Sequence, residues 1–328
     1  MSDKLVYFNA HHLNDTTTYV NGSINITRSS PILINPSEYK MSIIRFDIST
    51  TSLPLTKWNA DFIISMDSKL GVFSLTLDRP VYGGGNQLSE DGWFYSISEF
   101  VNYVNYTLNL LYLQMKTLHN TLDFPPVLYF ENDRYYFIIP KDYITENIRI
   151  FFHPRLYNKI FGLPIIYRVD LATVLGLYLD YKQCRIIENL SNLPIIYENT
   201  NKTLYRLISD VSNSGSTSDI RSIYMNTTNM PVVLENISYN NTQESISRSS
   251  DNRITDFILD TSTNPLISRT RIVYLPTAEY RYIQLKGTEP MFRVGIDIFF
   301  TDYEDVQYRL KLAPKNSIDV KILFEKFN

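Results

Sequence analysis

"PILINPSEYKMSIIRFDIST", residues 31–50, decides the fold class. Pro31 and Pro36 hold the chain extended, because proline supplies no ladder donor and biases its predecessor to β or polyproline geometry. Tyr39–Ile48 then reads as a sheet strand. Strict alternation puts Met41, Ile43, Arg45 and Asp47 on one face and Ser42, Ile44, Phe46 and Ile48 on the other. The second set, apolar after its serine, is expected to face the core. Arg45 and Asp47 then share the outside, where an ion pair or a neighbouring element satisfies both. A pair of that kind on a bare surface is worth only ~0–1 kcal/mol. The functional alternative is a subunit contact, for which Arg45, Asp47 and Tyr39 are the candidate residues.

The rest of the chain agrees with a β-rich reading. Gly71–Leu77 alternates at period two, the pattern of a half-buried strand. Val127–Phe130 and Tyr135–Ile139 flank a hairpin turn at Glu131-Asn132-Asp133-Arg134. Many short strand candidates with turn residues between them fill the last third. One amphipathic helix interrupts this, over about 97–119: Ser96 and Glu99 form a capping box, and Tyr95 and Phe100 are placed for a hydrophobic staple. Phe100, Val104, Leu108, Leu111, Met115 and Leu118 recur at helical spacing, with Asn102, Asn105, Asn109 and Lys116 on the other face. The expected fold is mostly β, a single jelly roll built as an antiparallel sandwich with one conspicuous helix and inserted loops. The expected organisation is an extended N-terminal arm over 1–30 and a jelly-roll domain over 31–328. An insertion is expected at about 165–205, where strand signals blur.

Composition narrows the function. The 328 residues carry a net charge of -3, so no basic surface is available for coating nucleic acid, and no direct nucleic-acid binding is expected. Tyrosine numbers 25 against 11 glycines, which suits half-buried strand faces and protein interfaces, where a rigid ring buries area and keeps its hydroxyl paired. The single cysteine, Cys184, excludes an internal disulfide, and a buried inert thiol is the reading preferred for it. The polar start MSDKLVYFNAHHLND has no signal-peptide core, and no window is apolar enough to span a bilayer. The N-x-S/T sequons are therefore read as composition.

Catalytic constellations are not found. His11 and His12 are adjacent, point apart on a strand and have no further ligand at metal spacing. His119 falls at the helix C-terminus, where a cation suits the dipole. "GGG" at 83–85 lacks the strand–turn–helix setting of a phosphate loop. Asp302, Glu304 and Asp305 read more cheaply as a polar turn than as a calcium site. No catalytic residue, cofactor or metal is assigned, and the chain is not expected to be an enzyme.

Four stretches, in order, resemble the penton (minor capsid) proteins of polinton-like viruses, adintoviruses and virophages. They are "NPSEYKMSIIRFDISTTSLPL" (35–55), "WFYSISEFVNYVNYTLNLLY" (93–112), "IRIFFHPRLYNKIFGLP" (148–164) and the C-terminal strands from "TRIVYLPTAEY" at 270 onward. Residues 165–205 depart from the family's pattern. The resemblance implies a jelly-roll virion protein, assembled inside the host cell, that forms homopentamers at the fivefold vertices of an icosahedral capsid. A separate major capsid protein would surround it, and a vertex fibre or receptor is a further partner. The polar arm is expected to order on binding a neighbour. Two other readings stay open: a major capsid protein of the same lineage, and a carbohydrate- or receptor-binding spike. An enzyme on a β-sandwich finds no acid–base pair to support it.

Overall fold

The computed structural model describes residues 5–80, 92–160, 162–166, 176–187, 197, 202–210, 219–233, 253–258, 271–275 and 281–327. The chain divides into two compact units: 1–54, 82–90 and 218–328 form the first, 55–81 and 91–217 the second. In chain order the first unit opens with β1 (Leu5–Leu13), β2 (Ser23–Thr27) and β3 (Tyr39–Ser49). The second unit follows with β4 (Ile63–Ser68), β5 (Gly71–Thr76), α1 (Ile97–Leu118), β6 (Val127–Glu131), β7 (Arg134–Pro140), β8 (Arg149–Phe152), β9 (Leu177–Leu179) and β10 (Leu204–Ile208). The chain then completes the first unit with β11 (Ile220–Thr227), β12 (Arg253–Ile258), β13 (Arg271–Tyr274), β14 (Arg293–Asp302) and β15 (Ser317–Lys326).

The first unit holds two five-stranded sheets. One runs β1-β15-β3-β13, with Ile283–Gln284 also on β3; the other runs β12-β11-β14, with β2 and Gln307–Arg309 side by side along the far border of β14. All pairings are antiparallel. In the first sheet neighbouring strands are distant in sequence, whereas in the second β11 and β12 are consecutive strands and Gln307–Arg309 folds back on β14; two antiparallel sheets of this kind are compatible with a jelly roll. The sheets meet through their inner side chains: Phe257 of β12 lies 5.3 Å from Phe46 of β3 and stacks at 4.4 Å on Tyr274 of β13. Each such ring withdrawn from water contributes roughly 1.5–3 kcal/mol.

Two expectations are corrected here. Residues 5–27 are not a free arm: β1 pairs along its whole length with β15, and β2 pairs with β14. The alternation Phe8, Ala10 inward and Tyr7, Asn9, His11 outward is what a strand with one buried face requires, and it carries the segment into the sheet. The second correction concerns β3. Arg45 pairs with Lys321 but Ile43 pairs with Ile322, so Ile44 is an extra, bulged residue. A bulge resets the period of two. Met41 and Ile43 therefore face inward before it and Phe46 and Ile48 after it, all but fully buried. Strict alternation put Met41 and Ile43 outside; one inserted residue brings them in.

In the second unit, a five-stranded sheet contains β9-β8-β4-β5 and a four-stranded sheet contains β10-β7-β6 with Arg185–Ile186 at its border. Phe137 of β7 and Phe152 of β8 meet edge to face at 5.8 Å between them. Helix α1 begins at the capping box: Glu99 N–H donates to Ser96 Oγ, and the Glu99 carboxylate accepts from Tyr95 N–H. Its face of Phe100, Val104, Leu108, Leu111 and Met115 is buried, whereas Leu118 is exposed. Asn105, expected on the free face, instead donates to the carbonyl of Leu128 and accepts its N–H, tying α1 to β6. The β6–β7 hairpin turns at Asn132 and Asp133, both at positive φ, where Asn and Asp are tolerated. The poorly matching stretch 165–205 falls within this unit, whose bounds are much wider.

Candidate functional site on the outer face of the first sheet

The outward positions of β1, β15, β3 and β13 form one charged surface. Across the sheet, like charges stand opposite each other: Asp319 faces Asp47, and Lys321 faces Arg45. Left alone, these pairs destabilise the sheet. The chain resolves them with diagonal partners. Arg271 donates from Nε to Asp47 Oδ1 at 2.5 Å and from Nη2 to Asp319 Oδ2 at 3.2 Å, clamping the two carboxylates together. Arg45 Nη2 donates to the second oxygen of Asp47 at 3.1 Å. His11 of β1 closes the other end, its Nδ1 at 2.6 Å from Asp319 Oδ1. Lys321 rests 5.1 Å over the ring of Tyr7. Further along, Lys40 pairs with Glu325 at 3.2 Å and lies 3.9 Å over Tyr282. Hydrogen bonds from Tyr282 and Lys40 hold the Glu325 carboxyl below the usual carboxylate range.

The candidate contact residues separate on this geometry. The Arg45 side chain is 50% exposed and available to a neighbour. Asp47 sits on the outer face but is only 9% exposed, covered by the two arginines it accepts from. Tyr39 is buried at the start of β3, its carbonyl accepting from Leu285 N–H. What sequence reasoning missed is Arg271, which lies 224 residues from Asp47 and becomes its partner only through the β3–β13 pairing.

The other chemistry-bearing residues have structural surroundings. His11 and His12 point to opposite faces, and burial, followed by the charge of His11, lowers the His12 pKa. His119 caps α1 through its backbone, and its buried ring faces Glu146 at 3.3 Å. Asp302 accepts from the N–H groups of Glu304 and Val306 and from Tyr308 Oη, which makes the acidic cluster a turn. Burial pushes the Cys184 thiol up to about 12, so it is held protonated. Among the described residues no group of three or more His, Cys, Asp or Glu is placed to hold a metal ion, and no helix is long and apolar enough to cross a membrane. The glycine run at 83–85 lies outside the described residues.

The model of the Sputnik minor capsid protein V18/19 family matches residues 6–89 and 85–326. The chain belongs to this family of minor capsid proteins. Its fold is also that of two solved structures. A chain in the 3.5 Å cryo-EM structure of the Sputnik virophage is 17% identical, with TM-score 0.63, covering 99% of this chain and 98% of that one. The mavirus penton protein is 16% identical, with TM-score 0.57, covering 99% of this chain and all of that one. No curated protein sequence matches. The minor capsid family is a family of virion structural proteins, and the charged sheet face described above belongs to a capsid component.

Proposed function

We propose that this minor capsid protein assembles as a homopentamer that closes the fivefold vertices of an icosahedral capsid, with a separate major capsid protein around it. The observation that carries the reading is the family match over nearly the whole chain, from residue 6 to residue 326. Five copies in a closed ring need a heterologous contact, in which two different surfaces meet head to tail. The first sheet has two unlike borders. The β1 border presents Leu5, Tyr7 and Leu13, and the β13 border presents Val273, Leu275 and Arg271. Apolar and aromatic groups rimmed by charge are what such contacts use. Arg45, exposed between the borders, is the contact residue placed to reach a neighbour, while Asp47 acts by holding Arg45 and Arg271 in position.

Native mass spectrometry of the purified full chain, together with electron microscopy of the vertices, tests this. A mass of five copies, or five copies per vertex, is the expected result. A stable trimer would overturn the reading in favour of a major capsid role, and specific binding on a glycan array without pentamers would favour a receptor-binding spike.

A further inference from the structure

The four-stranded sheet of the second unit repeats the like-charge problem of the first without its solution. Arg206 of β10 stands directly opposite Arg185 of the border strand. Two cations in that relation repel. On the first sheet the equivalent conflict, Asp47 against Asp319, is bridged by Arg271. Here no bridging carboxylate exists among the described residues, and Arg206 Nε is buried with no hydrogen-bond partner. What surrounds Arg206 is aromatic. Its guanidinium lies 5.5 Å over the ring of Tyr136, which stacks in turn on Tyr129 at 4.8 Å. It also bonds to the Tyr129 hydroxyl. This packing fixes the cation in one orientation, on the sheet face that also carries Ile138 and Leu204 of a buried cluster. Across the same face Arg134 opposes Glu131, so three arginines meet one glutamate.

We propose that Arg185 and Arg206 bind a carboxylate carried by an extended acidic segment of another protein chain, which adds as a strand to the free border at Arg185–Ile186. Two guanidinium groups offer the planar, forked donors that a carboxylate accepts best. An anion between them would do for this pair what Arg271 does for the two aspartates. Among the described residues Arg185–Ile186 pairs with β10 on one side only, which leaves its other border to an added strand. An added strand finds backbone groups there, with side-chain contacts alternating along it. An acidic residue would face Arg185, and an apolar one would meet Ile186, which is 59% exposed. An acidic sugar fits less well. The Tyr136 ring is already stacked on Tyr129 and packed by the Arg206 guanidinium, so it is not a bare platform for a sugar.

Fluorescence anisotropy on the full chain, with a labelled peptide of alternating glutamate and valine, tests the site. Binding is expected at up to millimolar peptide, weakened by salt. Arg185→Gln should reduce affinity about tenfold or more, the scale of one charge-assisted hydrogen bond. Ile186→Pro removes the border N–H and should also weaken binding, whereas Arg134→Gln should leave it unchanged. Melting curves establish that each variant is folded. The proposal is overturned if the peptide does not bind, if a lysine–valine peptide binds equally, or if both border substitutions leave affinity unchanged. Complete displacement of the peptide by glucuronic acid would assign the site to an acidic sugar instead.

Discussion

Two sheet faces in this chain begin from the same electrostatic fault and end differently. On the β1-β15-β3-β13 face, Asp47 and Asp319 are opposed and Arg271 joins them, with Arg45 and His11 completing the chain of charges. On the β10-β7-β6 face, Arg185 and Arg206 are opposed, and among the described residues tyrosines rather than carboxylates attend Arg206. A like-charged cross-strand pair is therefore not a defect in itself. It becomes a structural element when a third group bridges it, and an interaction site when none does. Substitutions that remove one cation from each face should have unequal consequences for stability.

The larger effect belongs to the bridged face. Arg271→Met leaves Asp47, 9% exposed, with Arg45 as its one cation among the described residues and leaves Asp319 opposed to it. Removing one partner of a buried pair strands the other's charge. The expected loss is about 1–3 kcal/mol, read from the shift in urea midpoint at unchanged slope. Asp47→Asn should cost less, because the arginines it releases, 50% and 40% exposed, can turn to water. If the two variants lose equal stability, burial of Asp47 is not what gives the ladder its strength.

That ladder shows where the sequence is legible and where it is not. The Arg45–Asp47 pair follows from two residues two apart on a strand, and the α1 capping box follows from Ser96 and Glu99; both are local and both form. The third member of the cluster is non-local, and nothing around Arg271 marks it as the partner of a residue in β3. The bulge at Ile44 is hidden for a different reason. Met-Ser-Ile-Ile-Arg-Phe carries apolar residues at both parities, so the pattern is consistent with two registers, and only the pairing with β15 selects one. Nor could spacing show that β1 joins the sheet, since its partner is the last strand of the chain. The family resemblance reached further than periodicity because it carries topology, which no window of residues contains.

A smaller effect arises at the β1 border. His12 faces inward opposite Ile318, its pKa is lowered chiefly by burial, and its Nε2 has no partner. The unfolded chain takes up a proton near pH 6.5 that the folded chain resists until lower pH, so the unfolded state binds more protons between the two values. Stability is unaffected by His12 above that window and falls as pH drops through it. His12→Gln should therefore lose less stability than the wild type between about pH 7.5 and 5.5, measured as thermal midpoints. Parallel pH slopes for the two proteins would show that β1 holds its place independently of this charge.

The smallest effect should come from the unbridged face, and its sign is the informative part. Arg185 is exposed and opposite another arginine, so Arg185→Met removes a repulsion and little packing. Its folding stability should stay within about 0.5 kcal/mol of the wild type or rise slightly. A loss above about 1 kcal/mol would mean that a partner inside the chain already satisfies Arg185, and the contrast between the two faces would collapse. A neutral result joined to weakened binding of the glutamate–valine peptide would separate the two roles cleanly. In that case Arg185 contributes nothing to holding its own sheet and is retained as a charge for another chain to meet.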